Sequence, residues 1–210
     1  GVLIDDLVTK GTNEPYRMMT SRTEYRLLHR QDNADRRLTP IGRGLGLVSR
    51  EQAEAVQVKY EAVDREAARL ERAGTPPSAA LDTLLAEKGE PPVRDGARLA
   101  DLLRRPRITY EELAPFDPER PPLPREIVQE VEITIKYQGY IDRQLRQVAE
   151  MKKLEDRPLP PDLDYEAIGG LRLEARQKLA QIRPRNLGQA SRVSGVSPAD
   201  VAVLMVYLGK

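Results

Sequence analysis

The chain has 210 residues, of which 40% are hydrophobic and 32% charged, with 34 Lys and Arg against 33 Asp and Glu. This composition is typical of a soluble globular protein with one large or two small domains, and no apolar run approaches the roughly 20 residues that a membrane-spanning helix needs. The sequence contains no cysteine, which excludes disulfides, thiolate nucleophiles and zinc–cysteine sites and agrees with a cytoplasmic location.

Charge is distributed unevenly along the chain. Residues 1–50 carry nine basic and six acidic side chains, residues 51–170 carry 18 against 25, and residues 171–210 carry seven against two. A bound polyanion would therefore contact the two basic ends of the chain. The alternative is that imbalances of this size are ordinary local variation.

The first residues form an apolar run, GVLIDDL, which is typical of a buried strand or another short extended segment. Because the edges of a strand need partners, we expect this segment to adjoin a preceding domain, so that the chain is a piece of a longer protein. Residues 1–48 are therefore interpreted as a junction to that domain.

A regular series of arginines occupies residues 14–39. Three of them are spaced four positions apart, and Ser21 with Glu24 forms a capping-box pair, so we predict an arginine-rich helix with one cationic row. A row of guanidinium groups suits the binding of phosphates. The alternative is a solvated face paired with neighbouring carboxylates. The candidate arginines are Arg22, Arg26, Arg30, Arg36 and Arg37.

Helices separated by proline-rich breaks are predicted for the middle of the chain. Thr39 and Pro40 begin a short helix that ends near Gly46, and Ser49 with Gln52 opens a long one. Apolar residues of the long helix recur every three or four positions, as in a seam packed against an antiparallel neighbour. That seam consists of Ala53, Val56, Tyr60, Val63, Ala67 and Leu70. Shorter helices are predicted over residues 81–87, over residues 99–105 and from residue 109.

Residues 124–155 carry two conflicting patterns. Val131–Tyr137 alternates with period two and is rich in β-branched residues, which alone predicts a strand. The residues that follow, Ile141, Leu145, Val148 and Met151, step by four and three, which predicts a helix.

A proline-rich linker at residues 158–161 is expected to separate a helical domain, residues 49–157, from a small C-terminal subdomain, residues 158–210. The subdomain is predicted to contain three helices, over residues 173–181, 187–193 and 198–208. Asn186 with Gln189 and Ser197 with Asp200 are the cap pairs expected to open the last two. The last one is apolar nearly all round, and a three-helix unit cannot cover every side of it. Its candidate partner-docking residues are Val203, Met205, Val206 and Tyr207.

Three blocks of the sequence resemble the MnmG (GidA) family. They are residues 14–39, the segment KYQGYIDRQ at residues 136–144, and the motifs GGL, RPRNLGQASR and GVSPAD between residues 169 and 200. Together with the predicted elements, the resemblance implies an all-α fold, a multi-helix domain followed by a three-helix C-terminal subdomain. The first residues indicate a short extended segment at the N-terminus. It also favours a long helix over residues 124–155.

The resemblance further implies a function. Family members are flavoenzymes that use FAD and NADH and act as homodimers. With the GTPase MnmE, GTP and a methylene-folate donor, they add a carboxymethylaminomethyl group to carbon 5 of the tRNA wobble uridine. The GTPase is expected to dock at the C-terminal end, and Arg183, Arg185 and Arg192 are expected to join the arginines above in binding tRNA.

No catalytic, cofactor-binding or metal-binding residue is assigned within this chain. It has no GxGxxG turn and no cysteine, so the flavin site and catalytic cysteines implied by the resemblance would lie elsewhere, and we expect the chain alone to be inactive. Two alternatives stay open. One is a stand-alone helical adaptor; the other is a helix-turn-helix DNA-binding module over residues 189–201, although its second helix offers few polar side chains for reading bases.

Overall fold

A computed structural model describes residues 1–9, 11–23 and 25–209, and helices dominate it, which confirms the predicted all-α class. The helices are α1 (Val2–Thr9), α2 (Ala34–Gly44), α3 (Arg50–Leu70), α4 (Ala79–Glu87), α5 (Leu99–Leu103), α6 (Arg125–Glu155), α7 (Leu173–Ile182), α8 (Leu187–Arg192) and α9 (Pro198–Leu208). Short 3₁₀ helices lie at Thr20–Arg22 and Glu111–Phe116. Strands β1 (Gly74–Thr75) and β2 (Ala97–Arg98) form one antiparallel pair.

The chain divides into two compact units. The first unit combines residues 1–26 with residues 143–210, and the second comprises residues 27–142, so the division falls within α6. The limits expected from the sequence, after residues 48 and 157, stay predictions. None of the described helices combines the length and apolar content that a bilayer-spanning segment requires.

The core of the second unit forms around α3, and the predicted start of that helix is confirmed. The Ser49 hydroxyl accepts a hydrogen bond from the Gln52 backbone N–H at 3.2 Å, and Gln52 Oε1 accepts one from the Ser49 N–H at 3.0 Å. The predicted seam buries Tyr60, Val63 and Leu70 in a cluster shared with residues of α4, α5 and α6. The seam thus supplies the apolar face that the heptad-like spacing indicated.

Of the two conflicting patterns in residues 124–155, the helical one is correct: Arg125–Glu155 is one continuous helix, α6, and the strand alternative for Val131–Tyr137 is wrong. Ile127, Val131 and Ile135 are buried and recur every four residues, so they lie on one face against the core. A strand would have placed Val131 and Ile135 on one face with Ile133, but Ile133 is only half-buried. Burial of apolar side chains every four residues therefore outweighs the β propensity of the individual residues and favours the helix.

Three local predictions near the N-terminus are wrong. Residues 2–7 belong to helix α1, not to an extended segment, since apolar residues at positions 3, 4, 7 and 8 also match a helical period. The described residues between 20 and 33 form a 3₁₀ helix and turns, not an arginine-rich helix, because Thr23 is extended with ψ 119°. Glu24 of the expected capping box lies outside the described residues. The short helix begins at Ala34, not at Pro40, and Asp35 stabilises its first turn.

The first unit contains a separate apolar cluster, formed by residues of α7, α8 and α9 and of the preceding loop. Leu179, Leu187 and Leu204 are fully buried within it. Two predicted caps position the helices: the Asn186 side chain accepts from the Gln189 N–H, and Ser197 forms a capping box with Asp200. The three C-terminal helices are therefore where the sequence indicated.

Candidate nucleic-acid and partner interface

Arg22 is held at the surface of the first unit by an aromatic ring. Its guanidinium carbon lies 4.4 Å from the ring centroid of Tyr16, and its Nη1 lies 3.9 Å from Asp6 Oδ2. The Tyr16 hydroxyl donates to the same carboxylate oxygen at 2.6 Å, which fixes the ring. The Arg22 side chain is still 44% exposed, so the guanidinium is oriented and open to solvent.

Arg30 and Arg37 stabilise the turn that precedes α2 by donating hydrogen bonds to its backbone carbonyls. Arg30 Nε donates to Asp32 Oδ2 at 2.9 Å, and its Nη1 donates to the Leu27 carbonyl at 2.6 Å. Arg37 Nε donates to Asn33 Oδ1 at 3.0 Å, and its Nη2 donates to the Arg30 carbonyl at 3.1 Å. These guanidinium groups satisfy backbone carbonyls that the turn would otherwise leave unpaired.

Arg36 bridges α2 and α3 within the second unit. Its two terminal nitrogens donate to the two carboxylate oxygens of Asp64 at 3.2 and 2.7 Å, and its guanidinium carbon lies 4.9 Å from the Tyr60 ring centroid. Nearby, burial raises the pKa of Asp35, but hydrogen bonds from Tyr60 and Lys59 outweigh it and leave the pKa below its usual value. The ion pair with Asp64 occupies the two terminal nitrogens of Arg36 that would otherwise bind a phosphate.

Arg192 is engaged inside the first unit. Its side chain is 14% exposed, with Nε 2.9 Å from Asp5 Oδ2 and Nη1 3.0 Å from Glu155 Oε1. Burial lowers the pKa of Arg192, but the bonds to Asp5 and Glu155 raise it above its ordinary value. This guanidinium connects α8 to α1 and to the end of α6.

Arg183 and Arg185 lie on either side of Pro184 at the surface of the first unit. Arg183 ends α7 with a left-handed backbone, φ 50°, which costs a non-glycine residue energy, and its Nη1 donates to the Pro161 carbonyl at 2.9 Å. The Arg185 guanidinium is exposed and has no hydrogen bond or ion pair within the described residues. Both side chains line a cavity of about 340 Å³ together with Gln189. Arg26 of the same unit is also exposed without a pair among those residues.

Helix α9 exposes part of its apolar surface. Val206 is 65% and Tyr207 43% exposed, whereas Val203 and Met205 are half-buried against the core of the unit. Asp200 anchors the start of the helix: it is 1% exposed and accepts hydrogen bonds from Arg172 and Ser197. The four predicted docking residues are thus divided between the surface and the core.

A helix–turn–helix arrangement is present in α8 and α9, joined by a turn in which Gly195 has φ 92°. The exposed residues of α9 are Pro198, Ala199, Ala202, Val206, Tyr207 and, just beyond its end, Gly209. Among these, only Tyr207 has a polar side-chain atom, so the helix lacks the donors and acceptors that read base edges.

The sequence interpretation missed the positioning of Arg22 by Tyr16 and Asp6. Asp6 is a buried carboxylate with 8% exposure, and it comes ten residues before Tyr16. No local spacing rule links the two residues, so only the tertiary structure identifies this support. Within the described part of the chain, no group of three or more His, Asp or Glu side chains is arranged to hold a metal ion.

The geometry can be compared with known proteins. Residues 50–145 match a family model described as the tRNA modifying enzyme MnmG/GidA C-terminal helical domain, and residues 147–210 match the corresponding C-terminal helical bundle. The tRNA uridine 5-carboxymethylaminomethyl modification enzyme MnmG of Caldicellulosiruptor saccharolyticus is 55% identical over 208 residues, which are 99% of this chain and 33% of the relative. The MnmG of Bacillus subtilis is 49% identical over the same shares.

A solved structure shows the same likeness. Aquifex aeolicus GidA in its form II crystal superimposes with a TM-score of 0.73 and 39% sequence identity, covering 100% of this chain and 32% of that one. The chain therefore spans about a third of the length of the relatives that it matches.

Proposed function

Because the chain belongs to the MnmG/GidA family and forms its C-terminal helical part, we propose that it binds tRNA and docks a protein partner for an enzyme that modifies tRNA uridine. The proposed reaction is the addition of a carboxymethylaminomethyl group to carbon 5 of the wobble uridine, performed in the cytoplasm by a homodimeric enzyme together with the GTPase MnmE. The FAD and NADH of that reaction would bind outside this chain, whose sequence has no GxGxxG turn to hold a pyrophosphate.

The tRNA-binding role is supported by a difference among the predicted arginines: some are bound by groups of the protein, and others keep hydrogen-bond donors open to solvent. Arg30, Arg36, Arg37 and Arg192 are occupied by carboxylates or carbonyls of the protein. Arg26 and Arg185 are exposed and have no side-chain partner within the described residues. Arg22 contacts Asp6 at 3.9 Å and Arg183 donates one hydrogen bond to the Pro161 carbonyl, but both are exposed and keep further donors for a ligand. These four arginines belong to the first unit, and charge-assisted hydrogen bonds from their guanidinium groups suit phosphate oxygens.

We predict that removing the exposed arginines in pairs weakens tRNA binding. Arg22→Gln with Arg26→Gln, or Arg183→Gln with Arg185→Gln, should each weaken binding by about tenfold at low salt, because two phosphate contacts are lost. Each pair should also lower the slope of log K against log salt concentration by about 2. Fluorescence anisotropy with labelled tRNA across a salt series measures both quantities.

The control for this experiment is Arg50→Gln with Arg65→Gln, which removes two exposed arginines from α3 and changes the net charge equally. Binding that falls as much in the control as in the test pairs contradicts the assignment. A duplex DNA of similar length tests the helix-turn-helix alternative, which predicts DNA binding at least as tight as tRNA binding.

The partner-docking role is supported by the apolar residues that α9 leaves uncovered. Val206 and Tyr207 follow each other in the sequence near the C-terminal end of the helix, and both side chains are exposed. Exposed apolar and aromatic side chains of this kind suit contact with a protein partner. We assign these two side chains to the contact with MnmE. Val203 and Met205 support the helix from the core side.

We predict that Val206→Asp weakens capture of MnmE by at least tenfold, because a carboxylate would be desolvated in an apolar interface. Co-purification and calorimetric titration with the GTPase measure the loss. The matched control is Gln177→Asp, which adds the same charge at an exposed position of α7. Met205→Asp is unsuitable because Met205 packs on the core, so lost capture could reflect unfolding. Unchanged affinity in Val206→Asp contradicts this docking surface.

A further inference from the structure

One face of α6 near its C-terminal end forms the wall of an open groove in the first unit. The lining side chains from α6 follow a helical spacing of three and four, and Tyr25 closes another side. The groove has a volume of about 700 Å³. Its lining consists of Tyr25, Arg143, Arg146, Gln147, Glu150, Met151 and Leu154.

The rim of the groove is cationic. Arg143 is exposed and has no hydrogen bond or ion pair within the described residues, and Arg146 adds a second guanidinium group. The carboxylate of Glu150 is drawn to Lys153, whose Nζ lies 2.7 Å from Glu150 Oε1. Arg143 therefore presents a guanidinium fork to any anion that enters.

The floor of the groove is apolar and fixed by packing. Met151 and Leu154 are half-buried, and Leu154 packs against the core of the first unit. The Met151 sulfur lies 3.9 Å from Ser191 Oγ and 3.8 Å from Arg192 Nη1, which hold it against α8. A flat apolar ring placed on this floor would also face the Tyr25 side chain.

We propose that this groove binds one unpaired nucleotide of an RNA strand, an inference that deepens and rests on the proposed tRNA-binding role. The base would lie on Met151 and Leu154 beside the Tyr25 ring, the Gln147 amide would contact the base edge, and Arg143 would bind the adjoining phosphate. A base within a duplex would not fit, because neighbouring bases stack on both of its ring faces. The groove thus adds recognition of single-stranded RNA to the phosphate contacts of the exposed arginines.

The test uses two exposed residues of the groove that no core contact involves. Arg143→Gln removes the phosphate contact, and Gln147→Glu places a negative charge beside the base edge. Each should weaken binding of a short single-stranded oligoribonucleotide by about tenfold while changing binding of the same sequence in duplex form by less than about twofold. Lys152→Gln is the control, because Lys152 is exposed on the opposite side of α6 and its loss changes the net charge as Arg143→Gln does.

The outcomes separate this inference from the proposed function. Equal losses in Arg143→Gln and Lys152→Gln, or equal losses for single-stranded and duplex RNA, overturn the nucleotide groove. If the variants bind RNA unchanged but no longer bind an acidic peptide, the groove is a protein-binding site, and the nucleotide groove is also overturned. If the groove variants bind as the unmodified chain does, while the Arg22 and Arg26 pair still weakens tRNA binding, the inference fails and the tRNA-binding role stands.

Discussion

Substitution of Asp200 by asparagine is expected to lower the free energy of unfolding of the first unit by about 2 to 3 kcal/mol. The carboxylate accepts hydrogen bonds from Arg172 Nη2 at 2.6 Å, from the Ser197 backbone N–H at 2.8 Å and from the Ser197 hydroxyl at 2.7 Å. Asparagine keeps the size but replaces one acceptor with a donor that would face these donors. Urea unfolding followed by circular dichroism measures the loss.

The same substitution should change how stability depends on pH. The hydrogen bond from Arg172 is the largest influence on the Asp200 carboxyl, and with those from Ser197 it outweighs burial and holds the pKa far below its usual value. A carboxyl with a lowered pKa in the folded state stabilises the fold above its unfolded pKa of about 3.9, and this stabilisation is lost as the pH falls. The stability difference between the two proteins should therefore shrink in acid.

A control for charge is available in the same unit. Asp162→Asn removes an exposed carboxylate with no hydrogen-bond partner among the described residues and should change the free energy of unfolding by less than about 0.5 kcal/mol. If Asp162→Asn and Asp200→Asn unfold at the same urea concentration, the buried capping box does not hold α9. Circular dichroism after each purification checks that both variants are folded before the titration.

Local spacing correctly predicted the starts of α3, α8 and α9. Ser49 bonds with Gln52, and Ser197 with Asp200, three residues further along the chain. All the interacting groups therefore lie within the short sequence motif from which the helix start was predicted. The same holds for Asn186 with Gln189. Each of these three caps depends on a few neighbouring residues, so it could be recognised without knowledge of the tertiary packing.

Spacing alone failed for the arginine segment. Arg22, Arg26 and Arg30 match a helical row, but spacing says nothing about which groups stabilise the alternative turns. Arg30 and Arg37 satisfy the turn carbonyls of Leu27 and Arg30, which replaces the hydrogen bonds that a helix would have formed. Side-chain bonds to the backbone thus favour the turn over the helix.

The availability of each arginine could not be predicted from the sequence. Arg192 pairs with Asp5, which lies 187 residues earlier, and Arg36 pairs with Asp64, 28 residues later. Such distant partners follow from the packing of whole elements and leave no periodic signal. The sequence identified the residue types that suit phosphate, and the structure decides which of them keep open donors.

Removal of Glu66 should cause a larger loss, about 3 kcal/mol or more in the second unit, because it breaks a buried network of charges. Glu66 is buried on α3, where Oε1 lies 2.7 Å from Arg69 Nη2 and 2.8 Å from the Tyr110 hydroxyl, which donates to it. Arg69 also donates to the buried Asp117 at 2.9 Å, and the hydrogen bond to Glu66 is the largest influence raising the pKa of Arg69.

The substitution Glu66→Ala leaves Arg69 with one carboxylate in place of two and the Tyr110 hydroxyl without its acceptor. Tyr110→Phe removes only that hydroxyl and should cost about 1 kcal/mol. In a double-mutant cycle the Tyr110→Phe cost should nearly vanish once Glu66 is alanine, because the shared hydrogen bond is already absent. Chemical unfolding of the four proteins measures the coupling.

The matched control is Glu61→Ala, on the same helix and with the same change of charge and size. Glu61 is exposed and accepts a hydrogen bond only from Gln57 at 2.8 Å among the described residues, so its loss should cost less than about 0.5 kcal/mol. Equal stability of Glu61→Ala and Glu66→Ala would mean that the network contributes no net stability. In that case the apolar contacts of Tyr60, Val63 and Leu70 with α5 and α6 would hold the unit together without it.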